Sequence, residues 1–128
     1  MAIDVVSRYL EGVGARRLAD AEWGLTVADE HPLDIGIRVV DGLLRIQAFA
    51  VPAADAPSSE DVLHWNRTTR LVRFARTRSG DVWVQADLML ESAEASIDRV
   101  LGLVVEASRS ARAVAYDAAP AGGGWLPG

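Results

Sequence analysis

Apolar positions recur at two periods along this chain, and the change of period marks its elements. Ile3, Val6, Tyr9, Leu10 and Val13 fall on one side at helical spacing, which predicts an amphipathic helix over residues 2–13, ended by Gly12 and Gly14. Further on the period drops to two. Ile35, Ile37 and Val39 alternate with other positions, as do Leu44, Ile46, Ala48 and Ala50, and Asp41-Gly42 between the two runs suits the positive φ angles of a tight hairpin turn. Such a turn pairs Val40 with Leu43, Arg38 with Arg45 and Gly36 with Gln47 on one sheet face, and gathers every apolar alternate on the other. Both strands agree on this register.

The stretch before that hairpin is less regular. Residues 23–27 read as a short strand and 28–32 as a polar loop, while Leu18 either extends the strand backwards or packs alone. After the hairpin, residues 52–57 form a Pro-bounded loop that cannot continue a sheet. Ser58 then caps a central helix, with Glu60 and Asp61 complementing the positive end of its dipole. Val62, Leu63, Trp65 and Thr69 give that helix an apolar face interrupted by Asn66. A buried Asn needs partners, and Asn66 is expected to bond backbone groups where the helix gives way to a strand beginning at Leu71; a ligand contact is the alternative.

A second hairpin follows over residues 71–77 and 81–90, around Arg78-Ser79-Gly80. Val82, Val84, Ala86, Leu88 and Leu90 form its inward set opposite Val72 and Phe74, and Trp83, Gln85, Asp87 and Met89 point the other way. Ser92 is the expected cap of a last helix, carried by Ile97, Val100, Leu101, Val104, Ala111 and Val114 to about Tyr116. Gly102 within it is expected to mark close packing on the sheet. Residues 118–128, AAPAGGGWLPG, read as a flexible tail in which Trp125 is incidental. The whole is one α+β domain over residues 1–117: an antiparallel sheet of about five strands, helices packed on one face, in the order α-β-β-β-α-β-β-α.

Composition narrows the chemistry. The 128 residues contain no Cys, which excludes a thiol nucleophile, a disulfide framework and a Cys-based zinc site, and fits a reducing compartment. No apolar run is long enough to cross a bilayer, so a cytoplasmic protein without membrane partners is expected. A net charge of -5 argues against general nucleic-acid binding. All basic side chains are Arg, a bias that reflects base composition more than recognition.

No motif names a reaction. His31 and His64 lack a spaced third ligand, Ser58 and Ser59 are explained by capping, and Gly122-Gly123-Gly124 does not stand between a strand and a helix. No catalytic residue, metal or cofactor is predicted. Arg67, Arg70, Arg73, Arg76 and Arg78 make the one basic concentration along the chain; a solvated surface is the first reading, an anionic ligand or nucleic acid the second. The outer sheet face is more informative. Arg38 and Arg45 are cross-strand neighbours there and need compensation, from Asp87 or Glu22. Arg73, Trp83, Gln85 and Met89 share that face, with Phe49 and Leu43 at its margins. Arg, Trp and Met together suit a protein-binding surface; the alternative is a partly exposed face on which Trp83 covers Arg stems.

The segment LHWNRTTRLVRFARTRSGDVWVQADLML, followed by a long amphipathic helix, resembles the YbjN-type bacterial proteins, which share the type III secretion chaperone-like fold. The likeness runs over residues 35–116, and its markers are Asn66 late in the middle helix and Phe74 in the next strand. The resemblance implies a small, often dimeric, non-enzymatic protein that binds other proteins in a chaperone-like or regulatory role. Its central helix is short and crowded by Arg67 and Arg70, so the expected homodimer is placed instead on the outer face centred on Arg38, Arg45 and Trp83. The partner protein is unidentified. A small enzyme, or an anionic-ligand or nucleic-acid-binding domain using Arg67 to Arg78, is the alternative.

Overall fold

The order of elements follows the change of period. The structure, a computed structural model, describes residues 2–117; the expected tail, with Trp125, lies outside the described residues. Helix α1 (Ala2–Gly12) leads into strands β1 (Arg16–Ala19), β2 (Glu22–Val27), β3 (Leu33–Val40) and β4 (Leu43–Val51). Helix α2 (Ser59–Thr68), strands β5 (Arg73–Arg76) and β6 (Val82–Met89) and helix α3 (Ile97–Arg112) complete it. The six strands form one antiparallel sheet in the order β1-β2-β3-β4-β6-β5.

That is one strand more than the sequence count. β1 escaped because none of its four residues is buried, so no alternation marks it. Its turn into β2 also carries no Gly: Ala21 takes the left-handed backbone at φ 58. The central hairpin, by contrast, follows its turn. Asp41 and Gly42 have φ 51 and 76, and Arg38 pairs with Arg45 and Gly36 with Gln47.

The apolar alternates make the core. Trp23, Ile35, Ile37, Leu44, Ile46, Ala48, Val84 and Ala86 are buried on one face of the sheet, beneath Ile97, Val100, Leu101, Val104 and Ala111 of α3, which lies against β4 and β6. α1 adds Val6 and Leu10, and α2 adds Val62 and Trp65 over β5. Each large aliphatic side chain buried this way contributes about 1.5–3 kcal/mol relative to exposure. Among the described residues no helix packs on the other face of the sheet.

Three local expectations are corrected. Ser92 does not cap α3; it lies in a 3₁₀ turn, Leu90–Ala95, and the helix starts after Ser96. Gly102 is exposed and a Cβ added there would meet nothing within 4 Å, so it does not mark close packing. β5 starts at Arg73 because Leu71, at φ 66, is in a left-handed conformation that ends extended pairing.

One residue ties distant parts of the chain. Arg112, at the end of α3, donates to the carbonyls of Ala50 (2.7 Å), Phe49 (3.4 Å) and Pro32 (3.1 Å), and also to that of His31. It fastens the loop before β3 and the end of β4 to the last helix, and the His31 ring stacks on Tyr116 beside it at 4.3 Å.

Candidate functional site

The alternation that buries Ile35, Ile37, Leu44 and Ile46 turns their neighbours outward, and the register stacks those neighbours into rows across the strands. One row runs Glu22, Arg38, Arg45, Asp87 from β2 to β6. The next runs Arg16, Gly24, Gly36, Gln47, Gln85, Arg73 over all six strands. Phe49, Trp83 and Ala75 lie beyond it, and Val40, Leu43 and Met89 bound the face at the opposite end. The six residues expected at a protein-binding surface, Arg38, Arg45, Arg73, Trp83, Gln85 and Met89, therefore share one face.

Its electrostatics centre on Asp87. Arg45 donates to Asp87 through Nε at 2.9 Å, and Arg73 reaches the other carboxylate oxygen at 3.3 Å. The Arg45 hydrogen bond is the largest influence holding the Asp87 carboxyl below its ordinary pKa; an upward push from burial comes next, and the Arg73 hydrogen bond and the charges of both arginines add to the lowering. The Arg45 guanidinium is in turn raised by the same bond and charge. Asp87 thus answers Arg45, one member of the Arg38–Arg45 pair. Glu22 pairs in register with Arg38, but the Arg38 side chain makes no hydrogen bond or ion pair among the described residues.

The shape of the face comes from two glycines that sequence reasoning passed over. Gly24 and Gly36 are direct cross-strand partners, so two adjacent strands present no side chain at the same level. Leu18 leans over this gap from β1, its Cδ1 3.1 Å from where a Gly24 Cβ would lie. Phe49 and Trp83 stand on the far side as an edge-to-face pair with centroids 5.1 Å apart. The result is an open trough of about 530 Å³, lined among others by Arg16, Leu18, Arg38, Gln47, Phe49 and Trp83. Glycine inside a strand signals a close approach of something to the backbone, and that signal was present at both positions.

The basic concentration along the chain does not converge. Arg73 points to the outer face, whereas Arg76, of opposite strand parity to Arg73, donates to the Pro57 carbonyl at 2.8 Å and the Ser59 hydroxyl at 3.2 Å. Arg70 lines a separate cleft of about 380 Å³ between α2 and α3, floored by Trp65, Val72, Phe74 and Ala107, in which Glu106 is the other ionisable residue. His31 and His64 lie on different elements, and among the described residues no group of three or more His, Asp or Glu could hold a metal ion.

Asn66 and Phe74 are joined by two bonds. The Asn66 amide accepts from the Phe74 N–H at 2.6 Å and donates to the Phe74 carbonyl at 2.9 Å. Thr69 adds a hydroxyl bond to the Val72 carbonyl at 3.2 Å. Asn66 therefore bonds backbone at the start of the strand, as the local reading expected, and the contact is the one that a neighbouring strand would make. The two markers of the resemblance are one interaction. The YbjN family model, described as "Putative bacterial sensory transduction regulator", matches residues 35–115. The chain belongs to the YbjN family.

The YbjN match begins at β3 and ends on the turn after α3, so it includes the hairpin, the Asn66–Phe74 contact and most of the outer face. No curated protein matches the sequence. Solved structures do resemble the fold. The Yersinia pestis type III secretion chaperone SycH, in complex with a fragment of YscM2, superposes with a TM-score of 0.65 at 12% identity, over 87% of this chain and 99% of that one. The HopA1-SchA chaperone-effector complex gives 0.65 at 15% identity over 87% and 90%. The ExsC-ExsE complex gives 0.63 at 10% identity over 83% and 86%. At such identities the likeness is one of fold: the chain has the type III secretion chaperone-like fold. No helix among the described residues is long and apolar enough to cross a membrane.

Proposed function

We propose that this chain is a non-enzymatic protein-binding domain, chaperone-like or regulatory, that receives another polypeptide on its outer sheet face. One observation carries the reading. Among the described residues α1, α2 and α3 all serve the inner face, and the outer face is left with an aromatic pair, a trough and an arginine, Arg38, whose side chain has no partner among those residues. An antiparallel sheet tolerates one solvated side, but a Trp and Arg-rich patch has the composition of binding hot spots. The family and the fold support it, since the similar solved chaperones were captured with partner proteins. Arg38, Arg45, Arg73, Trp83, Gln85 and Met89 are the proposed contact residues.

The test is site-specific cross-linking in the native cytoplasm. A photoreactive side chain at Gln47 or Gln85, on the outer face, is expected to capture a partner, and one at Arg99 on α3 is not. Trp83→Ala is expected to weaken the captured complex by about 2 kcal/mol or more, a loss of roughly thirtyfold. Capture of the same protein with equal yield from Arg99 and from Gln47 overturns the assignment of the face.

A further inference from the structure

The outer face also indicates what kind of segment it takes, and this step rests on the protein-binding reading above. The row Glu22, Arg38, Arg45, Asp87 has charges in the order minus, plus, plus, minus. Asp87 is held by two arginines, Arg45 and Arg73. Arg38 stands beside Arg45, and like charges paired across strands are unfavourable without a counter-charge between them. A carboxylate placed over the Arg38–Arg45 pair supplies it.

A second copy of the chain fits this row poorly. Two such faces stacked in full overlap, about a two-fold axis along the row or through its centre, lay like charge over like charge, Arg38 against Arg45 and Glu22 against Asp87, or each residue against itself. The neighbouring features fix what must lie near the carboxylate. Same-face residues recur about every 7 Å along a strand, so the Gly24–Gly36 gap lies one step from the arginine row and the Phe49–Trp83 pair two steps. That gap is apolar-walled by Leu18 and the aromatic pair, which suits a side chain of a polypeptide and not a free phosphate.

We propose that the outer face takes an extended acidic segment of a different protein, with Asp or Glu over Arg38 and Arg45 and apolar residues two and four positions away. The carboxylate completes the arginine pair. The first apolar residue fills the gap over Gly36, against Leu18, which already covers Gly24, and the second packs on Phe49 and Trp83.

The probe is a displayed library of random decapeptides, selected against the full chain. Enrichment of sequences with a carboxylate two and four positions from apolar residues is expected, and Arg38→Glu should weaken an enriched peptide about tenfold by replacing attraction with repulsion. Arg38 is exposed, so thermal unfolding of the variant should match that of the wild type and exclude misfolding. Enriched peptides without a carboxylate, or with binding indifferent to Arg38→Glu, overturn the acidic segment and leave the protein-binding reading standing. No enrichment at all overturns both. A wild-type dimer that Trp83→Ala dissociates assigns the face to a second copy and overturns the proposal, as does binding of a single-stranded oligonucleotide that Arg38→Glu abolishes.

Discussion

On the inner face of the sheet Ile37 and Ile46 lie opposite one another, 1% and 0% exposed; one residue along each strand, on the outer face, Arg38 and Arg45 lie opposite one another. The same two strands and the same turn place both pairs. The inner pair is satisfied by any apolar neighbour of the right size, because the hydrophobic effect is non-directional, and three helices supply such neighbours. The outer pair carries charge, which must be answered at defined positions, and among the described residues only Arg45 is answered. A face whose needs the chain meets by itself is structural; one that the chain answers in part is where the proposed partner would sit. The two edges of the sheet differ in the same way. At β5, Asn66 and Thr69 of the adjoining helix segment occupy the outward backbone groups of Phe74 and Val72, so no further strand can pair there without displacing them. At β1 the edge is short and its four residues are exposed.

Substitutions on the two faces should separate stability from binding. Trp23→Ala, at a fully buried position paired with Ile37, is expected to have the largest effect, a loss of about 3–5 kcal/mol in chemical denaturation. A loss below about 1 kcal/mol is incompatible with the inner face as the stabilising one.

Asn66→Leu comes next. It leaves the Phe74 N–H and carbonyl without partners and should cost roughly 2–4 kcal/mol, while opening the β5 edge to concentration-dependent association visible in sedimentation. Asn66→Asp keeps an acceptor for the Phe74 N–H and loses the donor, so its stability should fall between wild type and Asn66→Leu. Equal stability of all three breaks the assignment of Asn66 as the group that closes this edge.

Arg112→Met retains length and removes the donors to Ala50, Phe49, Pro32 and His31. A loss of about 1–3 kcal/mol is expected, with faster amide exchange in the loop before β3.

Asp87 gives a smaller, pH-dependent effect. Its pKa in the folded chain lies below the ordinary 3.8, so the unfolded chain binds its proton first as the solution is acidified. Its contribution is complete above that ordinary value and is lost as pH falls through the lowered one. Asp87→Asn should cost less than about 1 kcal/mol at neutral pH, because the pair is partly solvated, and should flatten the fall in stability on acidification. An unchanged acid limb contradicts the arginine pairing. The smallest stability effect belongs to Arg38→Ala, within about 0.5 kcal/mol by thermal denaturation, even though the position is central to the proposed binding.

The sequence by itself determined whatever depends on neighbours along the chain. Asp41-Gly42 set the register of β3 and β4, strand parity separated Ile37 from Arg38, and Asn66 was close enough to Phe74, eight residues on, for their bond to be legible as helix-end chemistry. Arg45 and Asp87 were placed on one face by the same parity, although they are 42 residues apart. Only the tertiary structure decided the rest. β1 has no buried residue, so its existence follows from pairing with β2 and leaves no periodic trace. Gly24 and Gly36 are twelve positions apart and form one gap because β2 and β3 align them. Arg112 reaches carbonyls that α3 finds only after packing across the sheet. Hydrophobic periodicity is a property of one segment and survives in the sequence; a trough, an edge closed from outside and a clasp between distant loops are relations between segments, fixed when the core packs.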